Sequence, residues 1–127
     1  MIRTGVDIIE IERVARAIER HGARFYSRFF TEREVEDSRW QAAALAARFA
    51  AKEAVAKALG TGIGVVTWTE IEIIRGPQRQ PELRLHGTAA RLAAELGLSE
   101  WAVSLSHTHQ HAVAFAVAAT AAPGADG

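Results

Sequence analysis

The chemistry open to this chain is concentrated in four short stretches of its 127 residues. The first is Arg48-Phe-Ala-Ala-Lys-Glu53-Ala-Val-Ala-Lys57-Ala-Leu-Gly60-Thr-Gly62-Ile-Gly64. Glu53 and Lys57 are four apart, which on a helix puts them on one face. The alanines around them leave that face without bulk, so a large ligand can approach. Gly60, Gly62 and Gly64 then expose backbone free of side chains, as close contact with a phosphate requires. Alone, a Glu and a Lys at this spacing form a solvent-facing ion pair worth a few tenths of a kcal/mol. Glycines after a helix, alone, make a cap and a loose turn.

The second stretch is the apolar, β-branched run 2–9, with Asp7 inside it. It reads as a buried strand. A carboxylate there is costly unless a cation or several donors meet it. The plainer alternative is an edge position, or a cap for the helix that follows. The third stretch, Ser106-His107-Thr108-His109-Gln110-His111, falls on a hairpin turn. Alternating histidines invite a zinc reading, but these positions cross a turn and do not share a strand face. Ser106, His107 and Thr108 are better suited to present short donors to a phosphate. The fourth comprises Arg13, Arg16, Arg20 and Arg24, interrupted by Glu12 and Glu19. It is either a solvated face or a docking surface for an acidic partner.

Two carboxylates in a chain without cysteine suit a hard, oxygen-seeking cation, so magnesium fits Asp7 and Glu53 better than zinc does. Magnesium takes one or two protein carboxylates and fills its shell with water and phosphate oxygens. A phosphate-bearing substrate follows, with Lys57 and the glycine turn near its phosphates.

The elements that must position these groups can be read in order. A helix over 10–21 carries the stripe Ile11, Val14, Ala15 and Ile18, and Gly22 ends it. Phe25, Phe29 and Phe30 supply core bulk at helical spacing. Thr31 and Glu34 fit a capping box for a short helix to about Asp37. An alanine-rich helix without Gly or Pro then runs over 41–59 and stops at Gly60. Residues 67–74 alternate as a strand, with Ile71 and Ile73 inward and Glu70 and Glu72 outward, and pair with 82–86 across the turn 75–81. Thr88 is placed to cap a helix that Gly97 ends. Strands over 101–107 and 111–120 make a second hairpin. The order is α+β, with a mostly antiparallel sheet packed on a long helix.

Composition bounds the rest. The length fits one domain, residues 1–120, followed by a low-complexity tail, 121–127, read as disordered. Fifteen basic residues balance fifteen acidic ones, which argues against general nucleic-acid binding. The absence of cysteine removes disulfide and thiol chemistry. No signal peptide is apparent, and the longest apolar stretch is too short to span a bilayer, so the expectation is a soluble cytoplasmic protein with no membrane contact.

On the elements Gly5-Val-Asp7-Ile-Ile-Glu-Ile-Glu-Arg13, Arg48-Phe-Ala-Ala-Lys-Glu53-Ala, Lys57-Ala-Leu-Gly-Thr-Gly-Ile-Gly64, Ile71-Glu-Ile and Val103-Ser-Leu-Ser-His107, the chain resembles the holo-acyl-carrier-protein synthase family, the small stand-alone 4′-phosphopantetheinyl transferases. The resemblance spans residues 1–120. It implies the 4′-phosphopantetheinyl transferase fold. It also implies transfer of phosphopantetheine from coenzyme A to a serine of apo-acyl carrier protein, with release of adenosine 3′,5′-bisphosphate. By the same resemblance Asp7 and Glu53 match magnesium ligands, and Lys57 matches a lysine near the transferred phosphate. Arg48, His107 and Thr108 match positions that hold the nucleotide and its 3′-phosphate, beside the turn of Gly60 and Gly62. Arg13, with Arg20 and Arg24, matches basic residues that grip the acidic carrier helix. Glu53 and Lys57 are the expected catalytic pair. The family is typically a homotrimer with active sites shared between subunits. Two positions depart from its pattern: Thr4 stands where an aliphatic residue is common, and His111 where tyrosine is frequent. Two other functions use parts of the same constellation. A magnesium-dependent nucleotide pyrophosphohydrolase would need no basic first helix. A non-catalytic coenzyme A-binding module would not need Lys57 beside Glu53.

Overall fold

The computed structural model describes residues 1–121; of the tail expected to be disordered, 121–127, all but its first residue lies outside them. The elements run β1 (Ile2–Glu10), α1 (Ile11–His21), α2 (Ala23–Phe29), α3 (Glu32–Ser38), α4 (Ala42–Leu59), a 3₁₀ turn (Trp68–Glu70), β2 (Ile71–Arg75), β3 (Pro81–Leu85), α5 (Gly87–Glu95), β4 (Leu98–His107) and β5 (His111–Thr120). The strands form two antiparallel sheets, one ordered β1-β5-β4 and the other a β2-β3 hairpin. The sequence order of elements is therefore as expected, and the long helix is the piece both sheets share.

α4 is central because it is small-sided all round. Every alanine from Ala46 to Ala58 is buried, the mark of an interior helix rather than one with a single apolar stripe. It meets an equally smooth partner. Ala114, Ala116 and Ala118 of β5 face it in the same core, with Ala54, Val55 and Leu59 on the helix side. Small residues on both surfaces let the helix backbone lie close to the strands. The approach is tightest at Gly5 of β1, where a Cβ would overlap the carbonyl oxygen of Ala54. Gly60 closes the helix in the left-handed conformation, φ 83°, its N–H donating to Ala56 O and Lys57 O.

Four expectations need correction. β1 is not buried on both faces. Ile2, Val6 and Ile8 point outward, 73, 54 and 64% exposed, because nothing among the described residues covers the outer side of the sheet. The helical spacing of Phe25 and Phe29, by contrast, is as expected: they lie on α2, entered from Gly22. The strand over 67–74 begins only at Ile71, because Thr67 and Glu70 form a capping box that winds Trp68–Glu70 into a 3₁₀ turn. Glu70 therefore does not face outward from a strand. Its carboxylate accepts from the backbone of Thr67 and of Thr88, and these bonds hold its pKa below the usual range. That same contact replaces the cap expected of Thr88: α5 starts after His86, and Glu70 satisfies the helix N–H of Thr88 from outside. The capping box of Thr31 and Glu34 is as expected, with Thr31 N to Glu34 Oε1 at 2.9 Å and Glu34 N to Thr31 Oγ1 at 3.2 Å. Among the described residues no helix is long and apolar enough to cross a membrane.

Candidate active site

Asp7 from β1, Glu53 from α4 and Arg13 from α1 line one cleft of about 440 Å³. The cleft exists because three elements converge there. β1 runs into α1 at Glu10, α4 lies across β1 at Gly5, and the wall is completed by Phe25, Phe29 and Phe49. Phe25 and Phe29, assigned to core bulk, thus also line the cleft, and Phe30 does not. Their rings are packed together, Phe25 on Phe29 at 4.8 Å and Phe29 on Phe49 at 5.5 Å between centroids. Phe49 in turn stacks on Trp68 at 4.5 Å.

Asp7 and Glu53 act on each other electrostatically. Burial raises the Glu53 pKa above the ordinary carboxylate value, the negative charge of Asp7 raises it further, and Lys57 opposes both. A carboxylate that is partly buried beside a second negative charge defines a place where a cation is stabilised. Lys57 supplies part of that positive charge. Its ammonium donates to Asp7 Oδ1 at 3.2 Å and to Val6 O at 2.8 Å. The i, i+4 spacing of Glu53 and Lys57 thus puts both on one helix face, but Lys57 pairs with the strand and not with Glu53. Glu53 makes no hydrogen bond or ion pair among the described residues.

Among the described residues no group of three or more His, Cys, Asp and Glu side chains could hold an ion. The donor set is therefore two carboxylates and no cage. That is the composition magnesium accepts when a substrate phosphate and waters complete its shell, so the residues present fit the ion expected of them.

The other expected site residues lie elsewhere. Arg48 is buried, its guanidinium donating to Ile73 O at 3.2 Å and Ala44 O at 3.3 Å. Burial lowers its pKa, with Glu34 and Asp37 opposing. It ties α4 to the β2-β3 hairpin and does not line the cleft. His107 and Thr108 sit at the β4-β5 turn. His107 pairs with Ala112, whereas Asp7 pairs with Ala114. With two strands and two rungs between them, their backbones are roughly 12 Å apart. The Thr108 hydroxyl accepts from the N–H groups of Gln110 and His111 at 3.2 and 3.1 Å. Gly60 and Gly62 follow α4, and a Cβ on Gly62 or Gly64 would meet nothing within 4 Å, so this backbone stands open. Arg20 is exposed on α1 in one stripe with Arg13, seven residues on, and Arg24 follows on α2.

Two residues near the site were not singled out from sequence. Arg3 donates to Leu59 O at 3.3 Å and Ala58 O at 3.5 Å, the free carbonyls at the end of α4. A helix C-terminus carries partial negative charge, and the Arg3 guanidinium offsets it beside the glycine turn. Nothing in a lone β-strand arginine signals this. Lys52, next to Glu53, is fully buried. Its signal was present in the sequence as a lysine set among core alanines.

The sheet wrapped on an alanine helix has counterparts among known proteins. Residues 3–116 match the family described as the 4′-phosphopantetheinyl transferase superfamily, and the chain belongs to it. Within that superfamily the similarity is to holo-[acyl-carrier-protein] synthases. The one from Herpetosiphon aurantiacus is 51% identical over 124 residues, covering 92% of this chain and 98% of that protein. The one from Moorella thermoacetica is 50% identical over 120 residues, covering 92 and 93%. Among solved structures, the holo-[acyl-carrier-protein] synthase of Neisseria meningitidis superposes with a TM-score of 0.85 at 34% identity, over 94% of this chain and 100% of that one. That of Helicobacter pylori, solved in complex with coenzyme A, gives 0.84 at 29% identity, over the same shares.

Proposed function

We propose that this protein transfers 4′-phosphopantetheine from coenzyme A to a serine of apo-acyl carrier protein and releases adenosine 3′,5′-bisphosphate, with magnesium bound by Asp7 and Glu53. The observation that carries the reading is the shared cleft: Asp7 and Glu53 both line it beside Arg13, and Lys57 reaches Asp7 from the glycine-turn end of α4.

In the reaction the serine oxygen attacks the phosphorus that bears pantetheine. The bond from that phosphorus to the bridging oxygen breaks, and the nucleotide leaves with the electron pair. A bound magnesium ion would supply Lewis-acid neutralisation of the charge on these oxygens. Glu53, which lines the cleft without a hydrogen-bond partner among the described residues, accepts the serine proton directly or through a water as the attack proceeds. Lys57, half-exposed and held by Val6 O and Asp7, faces the charge that develops on the leaving phosphate. Gly60 and Gly62 let the diphosphate lie against the backbone.

His107 and Thr108 serve the nucleotide in this reading, from the exposed β4-β5 turn of a neighbouring subunit, whereas Arg48, buried and bonded to Ile73 O and Ala44 O, supports the fold around the site. The outward face of the β1-β5-β4 sheet gives subunits a surface to meet on. Ile2, Val6, Ile8 and Phe115 are exposed there, with Val6 beside Phe115 in register. A homotrimer would cover this face and bring one subunit's β4-β5 turn towards another's cleft.

Incubation with apo-acyl carrier protein, coenzyme A and magnesium, followed by mass measurement of the carrier, tests the proposal. The expected outcome is a gain of one phosphopantetheine. Free nucleotide without a mass gain would instead make the protein a pyrophosphohydrolase, and binding without either product a coenzyme A-binding module.

The basic stripe of α1 makes the carrier the acidic partner. Arg13 lines the cleft itself, so Arg20, on the same stripe but outside the cleft, is the cleaner probe. Arg20→Glu should raise KM for the carrier about tenfold or more and leave KM for coenzyme A unchanged. Equal changes in both would make the stripe structural.

A further inference from the structure

Lys52 belongs to no part of the mechanism above, yet it is the largest fully buried side chain of the protein. Its ammonium donates to Glu34 Oε1 of α3 at 2.7 Å, to Trp68 O at 2.9 Å and to Ile71 O of β2 at 2.5 Å. Glu34 is equally buried and, besides Lys52, accepts two further bonds: from Thr31 N through Oε1, and from Ile73 N through Oε2 at 2.9 Å. Burial lowers the Lys52 pKa and Glu34 opposes that shift. A charge pair with every donor and acceptor fixed in this way is a poor source of net stability, because desolvation offsets most of the attraction. What such a pair does well is fix orientation.

The orientation it fixes is that of Glu53. Successive residues on a helix are about 100° apart. Lys52 and Ala54 therefore lie on nearly opposite sides of α4, with Glu53 between them. On the Lys52 side the helix is held to α3, the 3₁₀ turn and β2. On the Ala54 side its backbone is pressed against Gly5 of β1. Held on both flanks, α4 can neither roll nor lift, and Glu53 must point into the cleft opposite Asp7. Lys57, five residues after Lys52, comes round to within about 40° of Glu53 and is held by the same constraint.

We propose that Lys52, with Glu34, is a positioning pair for the reaction: it sets the roll of α4 so that Glu53 and Asp7 can share one divalent ion. This rests on the function proposed above. A merely structural role would lower stability without a specific effect on ion affinity, and the two can be separated by comparison with a core truncation on the same helix. Leu45, buried two turns before Glu53, supplies it.

The test is Mn²⁺ binding to the full chain, followed by electron paramagnetic resonance at 10 °C, in wild type, Lys52→Met, Glu34→Gln, Leu45→Ala and Glu53→Gln. Lys52→Met and Glu34→Gln should weaken Mn²⁺ binding about tenfold or more, the size of effect seen when groups supporting metal ligands are lost. Leu45→Ala should stay within about twofold of wild type despite its lower Tm. If Lys52→Met does not fold, Glu34→Gln, which keeps the shape of the side chain, carries the comparison alone. Wild-type affinity in Lys52→Met or Glu34→Gln, or the same loss in Leu45→Ala, overturns the positioning role. Undiminished binding in Glu53→Gln overturns the ion site itself, whatever the other variants do.

Discussion

Glu53→Gln should lose roughly 10²–10³-fold of the transfer rate, the scale found when one group that stabilises transition-state charge is removed, and it should do so without loss of stability. The two halves of this expectation have the same cause. In the folded chain without metal, burial and Asp7 both disfavour the Glu53 carboxylate, and Lys57 only partly compensates. A group whose folded pKa is raised is destabilising when ionised. The penalty is absent below the ordinary carboxylate pKa, grows as pH rises through that range, and is complete above the raised folded value. Gln carries no charge and so escapes it. At neutral pH and without magnesium, Glu53→Gln should melt at or above the wild-type Tm.

Magnesium reverses the order. An ion shared by Asp7 and Glu53 stabilises the folded chain by mass action, so wild type should gain Tm with added magnesium and the variant should not. Three measurements therefore check one geometry: the rate in the mass assay, the metal-free Tm and the magnesium-dependent rise in Tm. A Glu53→Gln protein that transfers at the wild-type rate would remove Glu53 both as proton acceptor and as required ligand. A variant that loses both rate and metal-free Tm would show that Glu53 holds the fold, contrary to its lack of partners among the described residues.

Much of this site was legible in the residues, and the exceptions have physical reasons. Asp7, Glu53 and Lys57 stood out because charges in apolar or alanine-rich surroundings need partners; Asp7 and Lys57 find each other, and Glu53 lines the same cleft as Asp7. Gly60 was legible because a left-handed helix end selects glycine. The elements that failed were decided by contacts distant in sequence. Residues 68–70 have the alternation of a strand, but Glu70 serves two backbone segments at once, Thr67 beside it and Thr88 across the hairpin, and that double capping winds the chain into a turn. Thr88 looked like a cap because the residue that does the capping is eighteen positions away. Lys52 was overlooked beside Glu53 because its three acceptors lie on α3, the 3₁₀ turn and β2, none of which its local sequence indicates. The outward face of β1 read as buried because Ile2, Val6 and Ile8 are as apolar as core residues. Periodicity records that a face is apolar and is silent on whether the same chain covers it.

Gly5→Ala should destabilise the protein by about 3 kcal/mol, at the upper end of the range for overpacking a well-filled core, which for a chain of this size is a fall in Tm of roughly 10 °C or more. The reason is not conformational freedom. Gly5 lies within β1, paired with Ala116 of β5, and is buried. What forbids a side chain is the carbonyl oxygen of Ala54, which occupies the place of the Cβ. A side-chain rotamer cannot relieve a clash with helix backbone; strand and helix must separate. Separation would undo the close fit of α4 on β5 alanines, and it would pull Asp7, two residues along β1, away from Lys57 and Glu53. Gly5→Ala should therefore reduce transfer even at temperatures where it is folded. Gly62→Ala is the contrasting case. There the φ of 68° disfavours a side chain, but the space is open, so the cost is only the 1–2 kcal/mol of a left-handed residue and α4 stays seated on the sheet. Thermal melts of the two variants, each with the transfer assay below its own Tm, separate the two glycine requirements. A Gly5→Ala protein that melts within about 3 °C of wild type, against the fall expected from overpacking, would mean that α4 and β1 do not approach as closely as the cleft requires.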